Sequence, residues 1–179
     1  MARGETCGAC LRRPPEFDAA LAAFEYRFPV DRLVQRFKFA GDLAVGRWLA
    51  QRLAAVAGPR PDLVVVPPLA PARLRTRGFN QALEIARVVG AATGAPVDAR
   101  AVAKIRETSP QPGLGGRARR QNLRGAFGVV RPMAGLHVAI VDDVMTTGAT
   151  AAELARALKR AGARRVDVWV VARSPPGRR

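Results

Sequence analysis

With 179 residues, the chain has the length of one domain, or of one domain with a small appendage. Hydrophobic residues make up 49% of the sequence, which is enough for a core, and no apolar run approaches the length of a membrane span. The N-terminus, Met-Ala-Arg-Gly-Glu-Thr-Cys, lacks the apolar stretch of a secretory signal. We therefore expect a cytoplasmic protein with no membrane span.

The charge of the chain is strongly basic. Thirty Lys and Arg residues stand against 14 Asp and Glu, a formal net charge of +16, which favours polyanionic partners such as nucleic acid. Nearly all of the basic residues are Arg, and Ala, Gly and Pro are abundant as well. These residues have GC-rich codons, so part of the excess reflects genomic composition. Charge alone leaves nucleic-acid binding open.

A CxxC motif, Cys7 to Cys10, lies close to the N-terminus. Two thiolates supply half of a tetrahedral zinc site, and His137, in a predicted core strand, is too constrained to complete it. A thioredoxin-like redox motif would follow a strand, and none is predicted before Cys7. Two unmodified thiols in a frayed terminus are the alternative to a zinc site.

The next segment is predicted to form a strand and two helices. Residues Leu21–Phe28 alternate in character, which is typical of a strand, and Pro29 fits the start of a helix. Asp42 can cap a second helix, Leu43–Val56. Residues 58–61, Gly-Pro-Arg-Pro, are predicted to link this segment to the main sheet.

The remaining chain alternates between short apolar strands and helices. A buried strand is predicted at Asp62–Val66 and a helix at Gln81–Ala92. Further strands are predicted at Val102–Ile105, Gly125–Val130 and Arg165–Ala172. This alternation is typical of an α/β domain with a mainly parallel twisted sheet flanked by helices on both faces.

The most informative stretch follows residue 137. Four apolar residues, Val138–Val141, predict a buried parallel strand, and Asp142 and Asp143 come where that strand is expected to end. The turn Thr146–Thr150 then leads into a predicted helix, Ala151–Arg160. Strand, acidic pair, hydroxyl-rich turn and helix start form one continuous unit.

The chemistry of this unit suits a phosphorylated sugar. In open α/β sheets, ligands bind beyond the carboxyl ends of the strands. The turn offers backbone N–H groups, Thr hydroxyls and the positive end of a helix, which suit a phosphate, while Gly148 allows close approach. The carboxylates suit sugar hydroxyls, with Mg²⁺ nearby to balance charge. An ordinary loop with Asp as a helix cap would explain one or two of these residues, but not all of them.

The stretch resembles the phosphoribosyl pyrophosphate (PRPP) signature of type I phosphoribosyltransferases: four apolar positions, an acidic pair, two apolar residues, then Thr-Thr-Gly-x-Thr. Residues 37–42, Phe-Lys-Phe-Ala-Gly-Asp, and 77–81, Arg-Gly-Phe-Asn-Gln, resemble segments of the ComF/GntX family of competence proteins. The aromatic residues of the first segment are expected in the core, with a base-stacking platform as the alternative. The resemblance extends from Cys7 to Ala172.

The resemblance implies a PRPP site to which Mg²⁺ is brought mainly by the ligand. The residues implied to hold the 5′-phosphate and the ribose are Asp142, Asp143, Thr146, Thr147, Gly148, Ala149 and Thr150. Those implied for the pyrophosphate loop are Pro67, Pro68, Leu69 and Arg77. Catalytic roles are implied for Asp142, Asp143, Arg106 and Arg119. The two Arg residues belong to a basic loop, 106–122, that corresponds to the mobile catalytic hood of the superfamily, with a flexible basic linker as the alternative.

The same resemblance divides the chain into three parts. Residues 1–18 are interpreted as a remnant of a zinc ribbon, 19–60 as an N-terminal appendage of helices and a strand, and 61–179 as a phosphoribosyltransferase-like core. The first CxxC of the ribbon is missing, so Cys7 and Cys10 make only half of a zinc site. Either the ribbon has degenerated or the natural sequence begins further upstream.

Two functions follow as hypotheses. The first is a phosphoribosyltransferase that binds PRPP with Mg²⁺ and transfers the phosphoribosyl group to an unidentified acceptor, releasing pyrophosphate. The alternative is a non-catalytic or weakly catalytic ComF-type accessory factor for single-stranded DNA uptake in natural transformation. Its implied partners are single-stranded DNA and competence helicase and recombination proteins. A PRPP receptor and a homo-oligomer are further alternatives.

Overall fold

The computed structural model of the protein describes residues 14–69, 71–106 and 121–175. The strands, in chain order, are β1 Ala19–Glu25, β2 Leu63–Val65, β3 Val97–Asp98, β4 Val102–Lys104, β5 Phe127–Val129, β6 His137–Met145 and β7 Arg165–Arg173. The helices are α1 Val30–Phe39, α2 Leu43–Ala54, α3 Pro71–Arg77, α4 Gln81–Thr93 and α5 Ala149–Arg160.

Five strands form one sheet in the order β1-β7-β6-β2-β3, and every pairing in it is parallel. Strands β4 and β5 form a separate antiparallel pair. The predicted mainly parallel α/β fold is confirmed. Strand β1 pairs with β7, so the first described strand lies in the same sheet as the strands that follow residue 61.

The core consists of two apolar layers, one on each face of the sheet. Successive side chains of a strand point to opposite faces, and β6 shows this directly. Val138 and Ile140 pack in the layer that contains Leu154 of α5, whereas Ala139 and Val141 pack in the layer formed with α1, α2 and α4. The expectation of helices on both faces is therefore confirmed.

Three elements differ from the sequence-based expectations. The central strand was expected to end at Val141, but β6 continues to Met145 because β7 pairs with it along that length. Helix α3, which begins at Pro71, was not predicted from the sequence. Proline is favoured in the first turn of a helix, and the Ala, Leu and Arg residues that follow are good helix formers. Strand β3 has only two residues, too few for a periodicity to indicate it.

Helix α1 packs against α2 through an aromatic ring seated on a glycine. Phe37 is buried in α1, and a Cβ added to Gly46 of α2 would overlap its ring. The ring also lies against Phe79, with ring centroids 5.4 Å apart. Gly46 therefore sets the position of α1 over the sheet, at the cost of a residue that is unfavourable in helices.

We expect Gly46→Ala to lower the free energy of unfolding by about 1–3 kcal/mol through overpacking, although Ala is favoured over Gly in helices by about 1 kcal/mol. Thermal or urea unfolding measures this. In a Phe37→Leu background, Gly46→Ala should lower the free energy of unfolding by a smaller amount, because the aromatic ring that the new methyl group overlaps is absent. Stabilisation by Gly46→Ala in the parent protein would contradict the packing described.

Candidate functional site

The central strand extends beyond its neighbour at the carboxyl edge of the sheet. Strand β2 pairs with β6 only as far as Ile140, opposite Val65. The pairing of β6 with β7 continues to Met145. The last five residues of β6 therefore pass the end of β2, at the edge where open α/β sheets bind ligands.

The acidic pair lies in this extension and makes close contacts. The Asp143 N–H donates to Oδ1 of Asp142 over 2.8 Å, and the Val144 N–H donates to Oδ1 of Asp143 over 2.6 Å. The other oxygen of Asp143, Oδ2, lies 2.9 Å from Nζ of Lys38. The Lys38 and Asp143 side chains are only 19% and 13% exposed, so water screens this ion pair weakly.

The surroundings of Asp142 disfavour its ionised form. Burial and the charge of Asp143 raise the pKa of Asp142 to about 8, while hydrogen bonding to the Asp143 N–H and the charge of Lys38 act in the opposite direction. At neutral pH the Asp142 carboxyl is therefore largely protonated.

The turn after β6 exposes donors at the start of a helix. Gly148 has a φ of 70°, a left-handed conformation that favours glycine, and α5 begins directly after it. The Thr147 hydroxyl accepts the Ala149 N–H over 3.4 Å, and the side chains of Thr146 and Thr147 are exposed. No acidic residue lies in the first turn of α5, so its positive end is not neutralised there. Such a helix start suits a phosphate.

The residues predicted for the pyrophosphate loop lie beside this edge. Pro67, Pro68 and Leu69 follow β2 and are half-buried. The Pro67 carbonyl accepts Nδ2 of Asn80 over 3.4 Å, which ties the loop to the start of α4. Because β2 and β6 are neighbouring parallel strands, the loops after both leave the same edge of the sheet.

Arg77 has two described contacts. Its guanidinium donates to Oε1 of Gln81 over 3.1 Å and lies 5.3 Å from the centroid of the Phe39 ring. Phe39 is 74% exposed, unlike the buried Phe37 two residues earlier. The aromatic residues of this segment therefore divide, one in the core and one at the surface beneath a cation.

Arg106 connects the end of β4 to the residues just before β5. Its guanidinium donates to the carbonyls of Asn122 and Arg124, over 2.6 and 2.9 Å. These contacts hold together the two ends of the basic loop, and a catalytic role for Arg106 stays a prediction. Arg119, Cys7 and Cys10 lie outside the described residues.

Lys38 is the site residue that the sequence interpretation missed. The motif around it was noted for its aromatic residues, and nothing in the local pattern indicated a contact with Asp143 more than a hundred residues away. The only signal was that Lys is rare in this chain, where Arg supplies nearly all the positive charge.

The site offers limited protein ligands for a metal. Carboxylate oxygens suit Mg²⁺, and Asp142 and Asp143 supply them. Within residues 14–69, 71–106 and 121–175, no group of three or more His, Cys, Asp or Glu side chains is placed to hold a metal ion. Two carboxyl groups fit the common mode of Mg²⁺ binding, in which one or two carboxylates act together with ligand phosphates.

No helix in the described part of the chain is long and apolar enough to cross a bilayer.

Comparisons with known proteins agree with this geometry. The family described as "Phosphoribosyl transferase domain" matches residues 40–179. DNA utilization protein YhgH of Salmonella typhi is 36% identical over 176 residues, which cover 94% of this chain and 78% of that protein. Competence protein F of Haemophilus influenzae is 33% identical over 179 residues, with the same shares covered.

Among solved structures, the fold is similar to that of glutamine phosphoribosylpyrophosphate amidotransferase from B. subtilis, with a TM-score of 0.53 and 24% identity. The similar region covers 80% of this chain but only 31% of the amidotransferase chain, so the likeness concerns the fold. Fold and site together define a phosphoribosyltransferase-like domain. The chain belongs to the phosphoribosyl transferase family and, within it, to the ComF/GntX family that the sequence resembles.

The raised pKa of Asp142 predicts how stability depends on pH. Because the unfolded carboxyl ionises near its ordinary value and the folded one only at about 8, stability is lost as pH rises from about 4 through about 8. Asp142→Asn removes this loss. We measure the melting temperature of the variant minus that of the parent at each pH. This difference should be more positive at about pH 8 than at about pH 5. An equal difference at both pH values would contradict the raised pKa.

Proposed function

We propose that the protein binds PRPP together with Mg²⁺ and transfers its phosphoribosyl group to an acceptor, with release of pyrophosphate. The observation that carries this proposal is the meeting of two features at one strand end: a pair of carboxyl groups and an exposed Thr turn that starts a helix. A phosphorylated sugar requires both features within the length of one ribose, because its phosphate needs N–H and hydroxyl donors and its ring hydroxyls need acceptors.

In this proposal each part of the site has a separate task. The turn Thr146–Thr150 anchors the 5′-phosphate, and Asp142 and Asp143 accept hydrogen bonds from the ribose hydroxyls. The loop Pro67–Leu69 faces the pyrophosphate. The bond between C1 and the pyrophosphate oxygen breaks, the acceptor's lone pair forms the new bond to C1, and the acceptor loses a proton to solvent. Mg²⁺ held by the ligand phosphates would offset the charge of the leaving pyrophosphate, and Asp142 and Asp143 could serve as further oxygen ligands for it.

Such a site can raise the rate in two ways, by positioning the reactants and by stabilising the charge that develops. The transition state is cation-like at C1, and the hydrogen bonds from the ribose hydroxyls to the carboxyl groups hold the ring where this charge develops. No described residue is needed as a strong base, because a cation-like C1 accepts a weak nucleophile whose proton can leave after the new bond forms. Oriented binding of both reactants converts a bimolecular step into an effectively unimolecular one.

Binding of PRPP to the Thr turn can be tested with an isosteric pair of variants. Thr147→Val removes the hydroxyl beside the helix start, and we expect PRPP affinity, measured by calorimetry with Mg²⁺, to fall about tenfold, the loss of one charge-assisted hydrogen bond. Thr93→Val is the control, because its hydroxyl donates to the Val89 carbonyl at the end of α4 and is used only within that helix. Equal PRPP affinities of the two variants would show that the Thr turn does not bind PRPP.

Catalysis is tested separately from binding. Incubation of the parent protein with PRPP, Mg²⁺ and a panel of nucleobases and amines should release pyrophosphate above the rate of spontaneous PRPP hydrolysis. Asp143→Asn should lose this activity, because it removes a charged acceptor from the ribose. PRPP binding without turnover across the panel would instead identify a PRPP receptor.

A second candidate function, contact with single-stranded DNA in the cytoplasm, is favoured by one observation. The exposed Phe39 ring lies beneath the Arg77 guanidinium, and single-stranded nucleic acid is commonly held by aromatic rings and cations together. The net charge of +16 and the names of the DNA utilization and competence relatives are consistent with it. Helicase and recombination proteins are the partners this function would require.

Phe39→Ala tests this second function. We expect single-stranded DNA affinity to fall about tenfold or more, in line with a loss of about 1–3 kcal/mol for one stacked base. Phe28→Ala is the matched control, since Phe28 is 77% exposed in the turn before α1. Binding is measured by fluorescence anisotropy at low and moderate salt. Equal effects of the two substitutions, or undetectable binding at low salt, would contradict DNA stacking on Phe39.

A further inference from the structure

Lys38 reaches the candidate site from outside the strands that build it. It lies in the last turn of α1, in the segment before β2, yet its ammonium group contacts Asp143 on the central strand. The family match begins at residue 40, so it does not include Lys38. A contact between such distant parts of the chain requires that α1 be fixed in place.

The residues around Lys38 fix it firmly. Its neighbour Phe37 is fully buried, packs on Gly46 of α2 and contacts Phe79 just before α4. Val34, one turn earlier in α1, is buried in the same layer. A lysine on a mobile surface segment would lose entropy on pairing, whereas the backbone of this lysine is already ordered by the core.

The position of this cation has an electrostatic consequence. Asp142 and Asp143 are adjacent acidic groups at the place where a phosphorylated ligand would bind, and like charges in a poorly screened environment repel strongly. A polyanion such as PRPP would be repelled by an unbalanced acidic pair. Lys38 supplies the balancing charge from the side of the sheet that α1 covers, and Thr146 and Thr147 of the turn stay exposed.

We propose that Lys38 is a positioning residue of this site, which holds Asp143 in place and neutralises the acidic pair so that a polyanionic sugar phosphate can bind. This inference rests on the proposed function and extends it: the N-terminal helix α1 is then part of the PRPP site rather than only a structural attachment. Lys38 acts on the ligand through Asp143, and its effect should depend on the ligand's charge.

The chain offers a closely matched control. Lys159 in α5 pairs with Asp18 over the same distance, 2.9 Å, and joins the N-terminal segment to the core as Lys38 does. That pair is more exposed, at 36% and 38%, and involves neither Asp142 nor Asp143. Lys159→Met therefore removes one positive charge and one ion pair without touching the acidic pair.

The experiment compares the parent with Lys38→Met, Lys38→Arg and Lys159→Met in calorimetric binding of PRPP and of ribose 5-phosphate, each with Mg²⁺. We expect Lys38→Met to weaken PRPP binding about tenfold or more and ribose 5-phosphate binding less, because the latter carries fewer negative charges. Lys38→Arg, which keeps the charge, should retain most of the affinity, and Lys159→Met should bind like the parent. Melting temperatures, measured alongside, identify losses that come only from unfolding.

The outcomes separate the two proposals. If the parent binds PRPP and Lys38→Met, still folded, binds it equally well, the role of Lys38 is wrong and the proposed function stands. If Lys38→Arg binds PRPP as weakly as Lys38→Met does, charge neutralisation at the acidic pair is also wrong. The same conclusion follows if Lys159→Met loses as much PRPP affinity as Lys38→Met. If the parent does not bind PRPP or ribose 5-phosphate, the proposed function itself fails.

Discussion

The central strand β6 is longer than its neighbour β2, and the candidate site depends on this difference. Strand β7 supports β6 to Met145 on one side, whereas β2 ends opposite Ile140 on the other. The final residues of β6 are therefore held extended by their pairing with β7, beyond the end of β2. This arrangement presents the acidic pair at the carboxyl edge and leads the chain directly into the turn at Gly148.

Positive and negative groups lie side by side at this edge of the sheet, and they come from different secondary-structure elements. The acidic groups come from the strand itself, the positive helix end from α5 and the ammonium group of Lys38 from α1. A site that binds both phosphate and sugar hydroxyls needs this combination, because acceptors suited to hydroxyls repel phosphates. The three elements meet because the apolar layers fix the helices over the sheet.

The sequence predicted the fold because its signals are local, and the candidate site was chosen from signals of the same kind. Apolar runs separated by helical patterns indicate a parallel sheet, and the acidic pair with its Thr-rich turn lies in one continuous stretch. The contact of Lys38 with Asp143 and the raised pKa of Asp142 had no such signal, since both depend on groups brought together only by folding. The end of β6 was misplaced for a related reason: pairing with β7 overrides the polar character of the Asp residues.

The central claim is that one strand end of this protein holds a sugar phosphate. A crystal structure of the protein with ribose 5-phosphate and Mg²⁺ tests it most directly. The account predicts the phosphate within hydrogen-bond distance of the backbone N–H groups of the turn Thr146–Thr150, with the ribose hydroxyls on Asp142 and Asp143. A ligand bound elsewhere, with the turn and the acidic pair free of it at saturating concentration, would contradict the account.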